Sequence, residues 1–102
     1  MAITTEFLGA NSKNDSVASL TDGNEHFWRI PDGKAFIIQS NGSGSAAVKV
    51  SANPATPTSF SNMVTTDISS FTADNIQRIE PGIKWVGVDI ASGTWTIYIS
   101  VV

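Results

Sequence analysis

Residues 83–102 read Ile83-Lys84-Trp85-Val86-Gly87-Val88-Asp89-Ile90-Ala91-Ser92-Gly93-Thr94-Trp95-Thr96-Ile97-Tyr98-Ile99-Ser100-Val101-Val102. Apolar residues alternate with small or polar ones on both sides of Ser92-Gly93, the period of a strand with one buried face. Taken as a hairpin with Ser92-Gly93 as a two-residue turn, the register sets Val86 opposite Ile99, Val88 opposite Ile97 and Ile90 opposite Trp95. Every apolar side chain on that face then has an apolar partner, and a one-residue slip would turn the whole set outward. The same register places Tyr98 over the bare backbone of Gly87. Two closely spaced strands with matched inner faces point to an all-β domain.

Working outward, strand signals recur between turn residues at the spacing of a sandwich or jelly roll. Strands are expected over Ile3 to Leu8, Ser16 to Thr21, His26 to Ile30, Lys34 to Ser40, Ser45 to Ala52 and Ile76 to Glu80, with a weaker one over Met63 to Ile68. Asp22-Gly23-Asn24, Pro31-Asp32-Gly33 and Glu80-Pro81-Gly82 supply turns, Pro fixing φ and Gly taking the left-handed site. The loop Asn41-Gly42-Ser43-Gly44 reads as a hairpin that pairs Phe36 with Val50 and Ile38 with Val48. Asn53 to Asn62, with Pro54 and Pro57, reads as a long connection crossing between sheets, and Ser69 to Asn75 as one short helical turn capped by Ser70 or Thr72. The fold expected is a single β-sandwich of about eight antiparallel strands, jelly-roll-like or Ig-like. It forms one domain over residues 1–102, with residues 1–6 as an extended N-terminal arm or the first strand.

Composition narrows the function. The 102 residues are 41% hydrophobic and only 15% charged, and Ser and Thr make up nearly a quarter, a profile suited to strands and hydroxyl-rich loops. A net charge of −3 and six scattered Lys and Arg supply no basic stripe for phosphates, which argues against nucleic acid. The absence of cysteine excludes disulfides, Cys-ligated zinc and thiol chemistry. No segment is long and apolar enough to be a membrane-spanning helix. Met1 to Phe7 lacks the basic and apolar regions of a cleaved signal, so synthesis in the cytoplasm is expected.

No motif carries chemistry. Asn41-Gly42-Ser43-Gly44 contains G-x-G without the Gly-Lys-Ser/Thr and helix that phosphate binding requires. Asp22, Glu25 and His26 bring two carboxylates and the one imidazole close in sequence, but lack the alternating oxygens and distal Glu of a calcium loop. His26 has no second His or Cys for zinc. Ser, His and Asp are all present, without a G-x-S-x-G nucleophile elbow. No catalytic residue, cofactor or metal is assigned. The aromatic residues are more telling. Trp95 belongs to the inner face of the last strand. Trp85 alternates to the opposite face with Ile83, and either Phe27 or Trp28 must point away from the main core. With Ile37 and Tyr98, residues Trp28, Ile83 and Trp85 make a candidate outer stripe. Three readings stand: burial under loops, a subunit interface, or a platform for stacking sugar rings.

The stretch Ile79 to Val102, with Trp85-Val86-Gly87-Val88-Asp89-Ile90, a Ser/Gly turn and a closing strand of Thr, Val and Ile, resembles the C-terminal end of small β-sandwich virion proteins of tailed bacteriophages, which often close with a Gly-apolar-Val strand, a Ser/Gly turn and a last strand of that type. The Thr-rich opening Met1-Ala2-Ile3-Thr4-Thr5, the lack of cysteine, the acidic balance and the Ser/Thr/Asn/Gly loops resemble them too. The resemblance covers about the last quarter of the chain and carries no functional residue across. It implies a head decoration (cement) subunit or a related head or tail accessory protein. Such a subunit would be a homo-oligomer, with a trimer favoured, bound to the major capsid protein lattice on the virion exterior. A small carbohydrate-binding module using Trp28 or Trp85 is the alternative from another class.

Overall fold

The computed structural model describes residues 3–9, 15–61, 63, 66–67 and 75–102. Among them nine strands follow in order: β1 (Ile3–Phe7), β2 (Asp15–Thr21), β3 (Glu25–Arg29), β4 (Phe36–Gly42), β5 (Ser45–Ser51), β6 (Thr66–Asp67), β7 (Asn75–Ile79), β8 (Trp85–Ser92) and β9 (Thr94–Val101). They form a front sheet in the order β1-β3-β8-β5-β6 and a back sheet in the order β2-β9-β4-β7. The eight strands β2 to β9 pair antiparallel throughout. This is the expected all-β sandwich, and the strand order is that of a jelly roll rather than an Ig domain. Residues Ile3–Phe7 are a strand, β1, added parallel to β3 at the sheet edge.

The C-terminal stretch departs from the expected hairpin. β8 pairs with β3 and β5 in the front sheet, whereas β9 pairs with β2 and β4 in the back sheet. Ser92-Gly93 is therefore the crown of an arch that carries the chain across the sandwich. Val86, Val88 and Ile90 do meet the Trp95, Ile97 and Ile99 layer, but face to face across the core instead of edge to edge along a ladder. Tyr98 lies between Val17 and Gln39 in register, and Gly87 is covered by Phe27 and Met63. The same correction applies to β4 and β5, which belong to different sheets.

Three arches, β2/β3, β8/β9 and β4/β5, stack side by side at one end. Thr21 pairs with Thr94 and Gly42 with Trp95 in the back sheet, while Glu25 pairs with Asp89 and Ser45 with Ser92 in the front. Cross-arch hydrogen bonds join them: Gly23 N–H to the Ile90 carbonyl at 3.0 Å, Ile90 N–H to the Asn24 carbonyl at 3.1 Å and Ser43 N–H to the Thr94 carbonyl at 3.3 Å. Gly93 (φ 86°) and Gly44 (φ 102°) permit the stacking. A Cβ on Gly93 would lie 2.8 Å from the Ser43 carbonyl carbon, and one on Gly44 would lie 2.7 Å from that of Ser92.

The inter-sheet core takes Trp28, Val86, Val88, Ile90, Val48 and Val50 from the front and Leu20, Phe36, Ile38, Trp95, Ile97 and Ile99 from the back. Two connections close the opposite end. Arg29 and Lys84 both pair with Asp32, at 3.1 and 2.8 Å, tying residues 30–35 to 80–84. The connection from β5 to β6 starts and ends in the front sheet instead of crossing to the back one. Of the weaker strand expected over Met63 to Ile68, the structure shows Thr66–Asp67. The helical turn expected at 69–75 falls mostly outside the described residues.

Candidate interaction surfaces

The centre of the front sheet is buried on both faces, because β3 and β8 carry apolar groups at both parities. Facing away from the back sheet are Glu25, Phe27 and Arg29, set beside Asp89, Gly87 and Trp85 of β8 and then Ala47, Lys49 and Ser51 of β5. Residues 53–61 and Met63 fold over this face, and Phe27, Trp85, Phe60 and Met63 form a second apolar cluster. Gly87 leaves the gap that the Phe27 ring and the Met63 sulfur occupy, each 2.9 Å from where its Cβ would stand.

Polar contacts fasten this covering strap. The Phe60 N–H donates to Glu25 Oε1 at 2.8 Å. Lys49 Nζ donates to the Phe60 carbonyl at 3.2 Å and lies 4.5 Å from the centre of its ring. Trp85 Nε1 donates to the Pro54 carbonyl at 3.2 Å. The bonds from Glu25 and Lys49 are charge-assisted and hold a loop better than neutral ones. Asp89 sits beside Glu25 in register, and burial, with the neighbouring Glu25 charge, raises its pKa against the pull of Lys49.

Asp22 lies in the turn before β3, and strand alternation separates Glu25 from His26. Glu25 points outward to the strap, whereas His26 turns inward and stacks on Trp28 with ring centroids 4.1 Å apart. Burial lowers the His26 pKa and the Glu6 charge partly offsets it. Among the described residues no three His, Cys, Asp or Glu side chains gather as a metal site.

The candidate stripe does not form a single surface. Trp28 is 0% exposed in the inter-sheet core and Trp85 is 1% exposed beneath the strap; Phe27, not Trp28, takes the outer face of β3. Neither tryptophan can stack on a ligand at the surface. Ile83 packs half-buried against the main core. Only Ile37, half-buried, and Tyr98, exposed, remain on the outer face of the back sheet. There Tyr98 adjoins Gln39, which adjoins Ile76, while Ile37 lies between Ser100 and Arg78. Arg78 is held by Glu80 at 3.1 Å.

Sequence reasoning missed Ile76, which is 60% exposed, and the pair Ile3 and Phe7 on β1. The three-residue spacing of Ile76 and Ile79 was the available signal, since it sends them to opposite faces of β7. Phe7 is 68% exposed although its ring meets Trp85 edge-on at 5.3 Å. A shallow cleft of about 80 Å³ opens beside the strap, lined by residues such as Ser51, Asn53, Pro57 and Met63.

No family model matches this chain, and no curated protein matches it. Among solved structures it is similar to the Aeromonas hydrophila protein PliG, a periplasmic inhibitor of g-type lysozyme. The TM-score is 0.60 at 17% identity, over 98% of this chain and 97% of that one. It is also similar to Peruvianin-I, a cysteine peptidase from Thevetia peruviana latex, with a TM-score of 0.56 at 17% identity, over 87% of this chain and 49% of that one. The capsular polysaccharide assembling protein CapF of Staphylococcus aureus matches with a TM-score of 0.54 at 11% identity, over 91% of this chain and 25% of that one. At these identities the likeness is one of fold: a β-sandwich that stands nearly alone in the first case and forms part of a longer chain in the other two.

Proposed function

We propose that this chain is a non-enzymatic structural protein that works by protein–protein contact, as a homo-oligomeric decoration subunit on the exterior of a tailed-phage head. The observation that carries the reading is where the remaining apolar surface lies. The three tryptophans are buried, while Ile76 and Tyr98 stand out on the back sheet and Ile3 and Phe7 along the edge of the front sheet. Apolar groups left on a sheet face and a sheet edge are what association covers.

The capsid setting rests on the resemblance of residues 79–102 to phage virion sandwiches. A decoration subunit needs a stable sandwich, a self-complementary contact and a surface that fits symmetric sites. The near end-to-end likeness to PliG supports a sandwich of this length serving another protein by contact. The carbohydrate reading has lost both of its tryptophan platforms, since Trp28 and Trp85 are buried. The test is immunogold labelling of purified virions from the source of this sequence. A regular array of label on the heads is expected, and virions free of the chain would overturn the proposal.

A further inference from the structure

We infer that β1 is the self-association element: two copies pair β1 with β1 across a two-fold axis, joining their front sheets into one continuous sheet. This deepens the oligomeric part of the proposed function and rests on that part alone, not on the capsid setting.

β1 pairs parallel to β3, with Ile3 beside Glu25 through Phe7 beside Arg29. Along a strand, the peptide groups of successive residues point alternately to one neighbour and the other. The Leu8 N–H donates to the Arg29 carbonyl at 3.1 Å, which assigns the even-numbered residues to β3. The N–H and C=O groups of Ile3, Thr5 and Phe7 therefore face the other way, where no strand pairs with β1 among the described residues.

This edge lacks the devices that discourage pairing: it carries no Lys, no Pro and no bulge. Its outward side chains are apolar at both ends, with Ile3 44% and Phe7 68% exposed.

The sequence of β1 is complementary to itself in one register. With Thr5 on the axis, antiparallel pairing sets Thr5 against Thr5 of the second copy and Ile3 against Phe7. All three outward-facing residues then fall at positions where facing residues exchange both of their hydrogen bonds. Ile3, Thr5 and Phe7 share the outer face with Trp85, as the Phe7–Trp85 ring contact shows. The pairing thus extends the apolar layer across the axis. Glu6, the one charge in β1, falls opposite Thr4, so no like charges oppose one another. The two-fold predicts a dimer where the phage resemblance favoured a trimer.

The native chain has no cysteine, so Thr5→Cys gives a single reporter at the axis. Facing residues of a hydrogen-bonded pair have Cα atoms about 5.5 Å apart, within disulfide reach. On mild oxidation Thr5→Cys should cross-link to a dimer while Ile76→Cys, on the back sheet, stays monomeric on a non-reducing gel. Light scattering of the native chain should give twice 10.8 kDa. Thr5→Pro removes an N–H that faces away from β3, so the fold should survive with an unchanged circular dichroism spectrum, while the dimer weakens about tenfold or more. A dimer that fails to cross-link through residue 5, or one that Thr5→Pro leaves intact, overturns this interface and leaves the oligomeric reading standing. A trimer overturns the two-fold. A strict monomer overturns both the interface and the oligomeric reading.

Discussion

Replacing Gly93 by Ala should unfold this protein far more readily than replacing Gly33, although both glycines have positive φ, 86° and 74°. At Gly33 a Cβ would meet nothing within 4 Å, so the cost is that of holding an L-residue in the left-handed region, about 1–2 kcal/mol. At Gly93 the same backbone cost applies, and the methyl group also runs into backbone of the neighbouring arch. It would collide with the Ser43 carbonyl oxygen and lie 2.8 Å from its carbon and 3.2 Å from Gly44 Cα. No side chain can swing aside to make room, so the arches must part. Parting weakens the Ser43 N–H bond to the Thr94 carbonyl and the Ser45 N–H bond to Ser92 Oγ, at 3.3 and 3.0 Å, each worth about 1 kcal/mol. Gly93→Ala should therefore cost about 2 kcal/mol more than Gly33→Ala, or about 8–16 °C in Tm for a domain of this size. Urea unfolding followed by tryptophan fluorescence measures the difference directly. A β8–β9 hairpin would leave Gly93 at an open turn tip where it behaves like Gly33. Equal midpoints for the two variants would refute the stacked arches.

Three further outcomes are expected. Phe60→Ala should cost up to about 3 kcal/mol, the low end for a buried Phe because a surface strap can settle. It should also shift Trp85 emission to the red and open residues 53–61 to proteolysis; unchanged emission would mean that the strap does not seal Trp85. His26 is buried with its pKa below the ordinary 6.5, so the unfolded chain takes up the proton first. Native stability should be full above about pH 6.5 and fall as pH drops through the lowered native value. His26→Phe keeps a ring against Trp28 and should flatten that loss in unfolding midpoints taken from pH 7 to 5. Asp89 has the opposite sign: its native pKa lies above 3.8, so the carboxyl destabilises the fold once pH has risen through that native value. Asp89→Asn should raise Tm at pH 7, and the gain should vanish below pH 3.8; a loss at pH 7 would show that attraction to Lys49 outweighs burial.

How much of this was legible in the sequence follows from what alternation does and does not encode. The period of two in Trp85–Ile90 and Thr94–Ile99 fixes which side chains face the core, and every one of them is there. It does not fix whether the two strands are partners in one ladder, about 4.8 Å apart, or face each other across the sandwich at about 10 Å. Both arrangements turn the same residues inward, so the hairpin and the arch share one hydrophobic pattern. What separates them is the company each turn keeps. Ser43-Gly44 and Ser92-Gly93 are alike because the two arches stack on each other, a relation between residues nearly fifty apart that neither turn shows alone. The second surface was partly legible: adjacent Phe27 and Trp28, like Trp85 and Val86, demand burial on both faces of the front sheet. What covers the outer face depends on Glu25 and Lys49 grasping the peptide groups of Phe60. No periodicity encodes that contact, because it joins side chains of a regular sheet to the backbone of an irregular strap. The surface left over for partners is then set by elimination. Once the strap has taken Trp85 and the core has taken Trp28, the large apolar side chains left exposed among the described residues are Ile3 and Phe7 on β1, Ile76 on β7, Tyr98 on β9 and Val102 just beyond it; three of these five are aliphatic, and the aromatic count gave no reason to notice them.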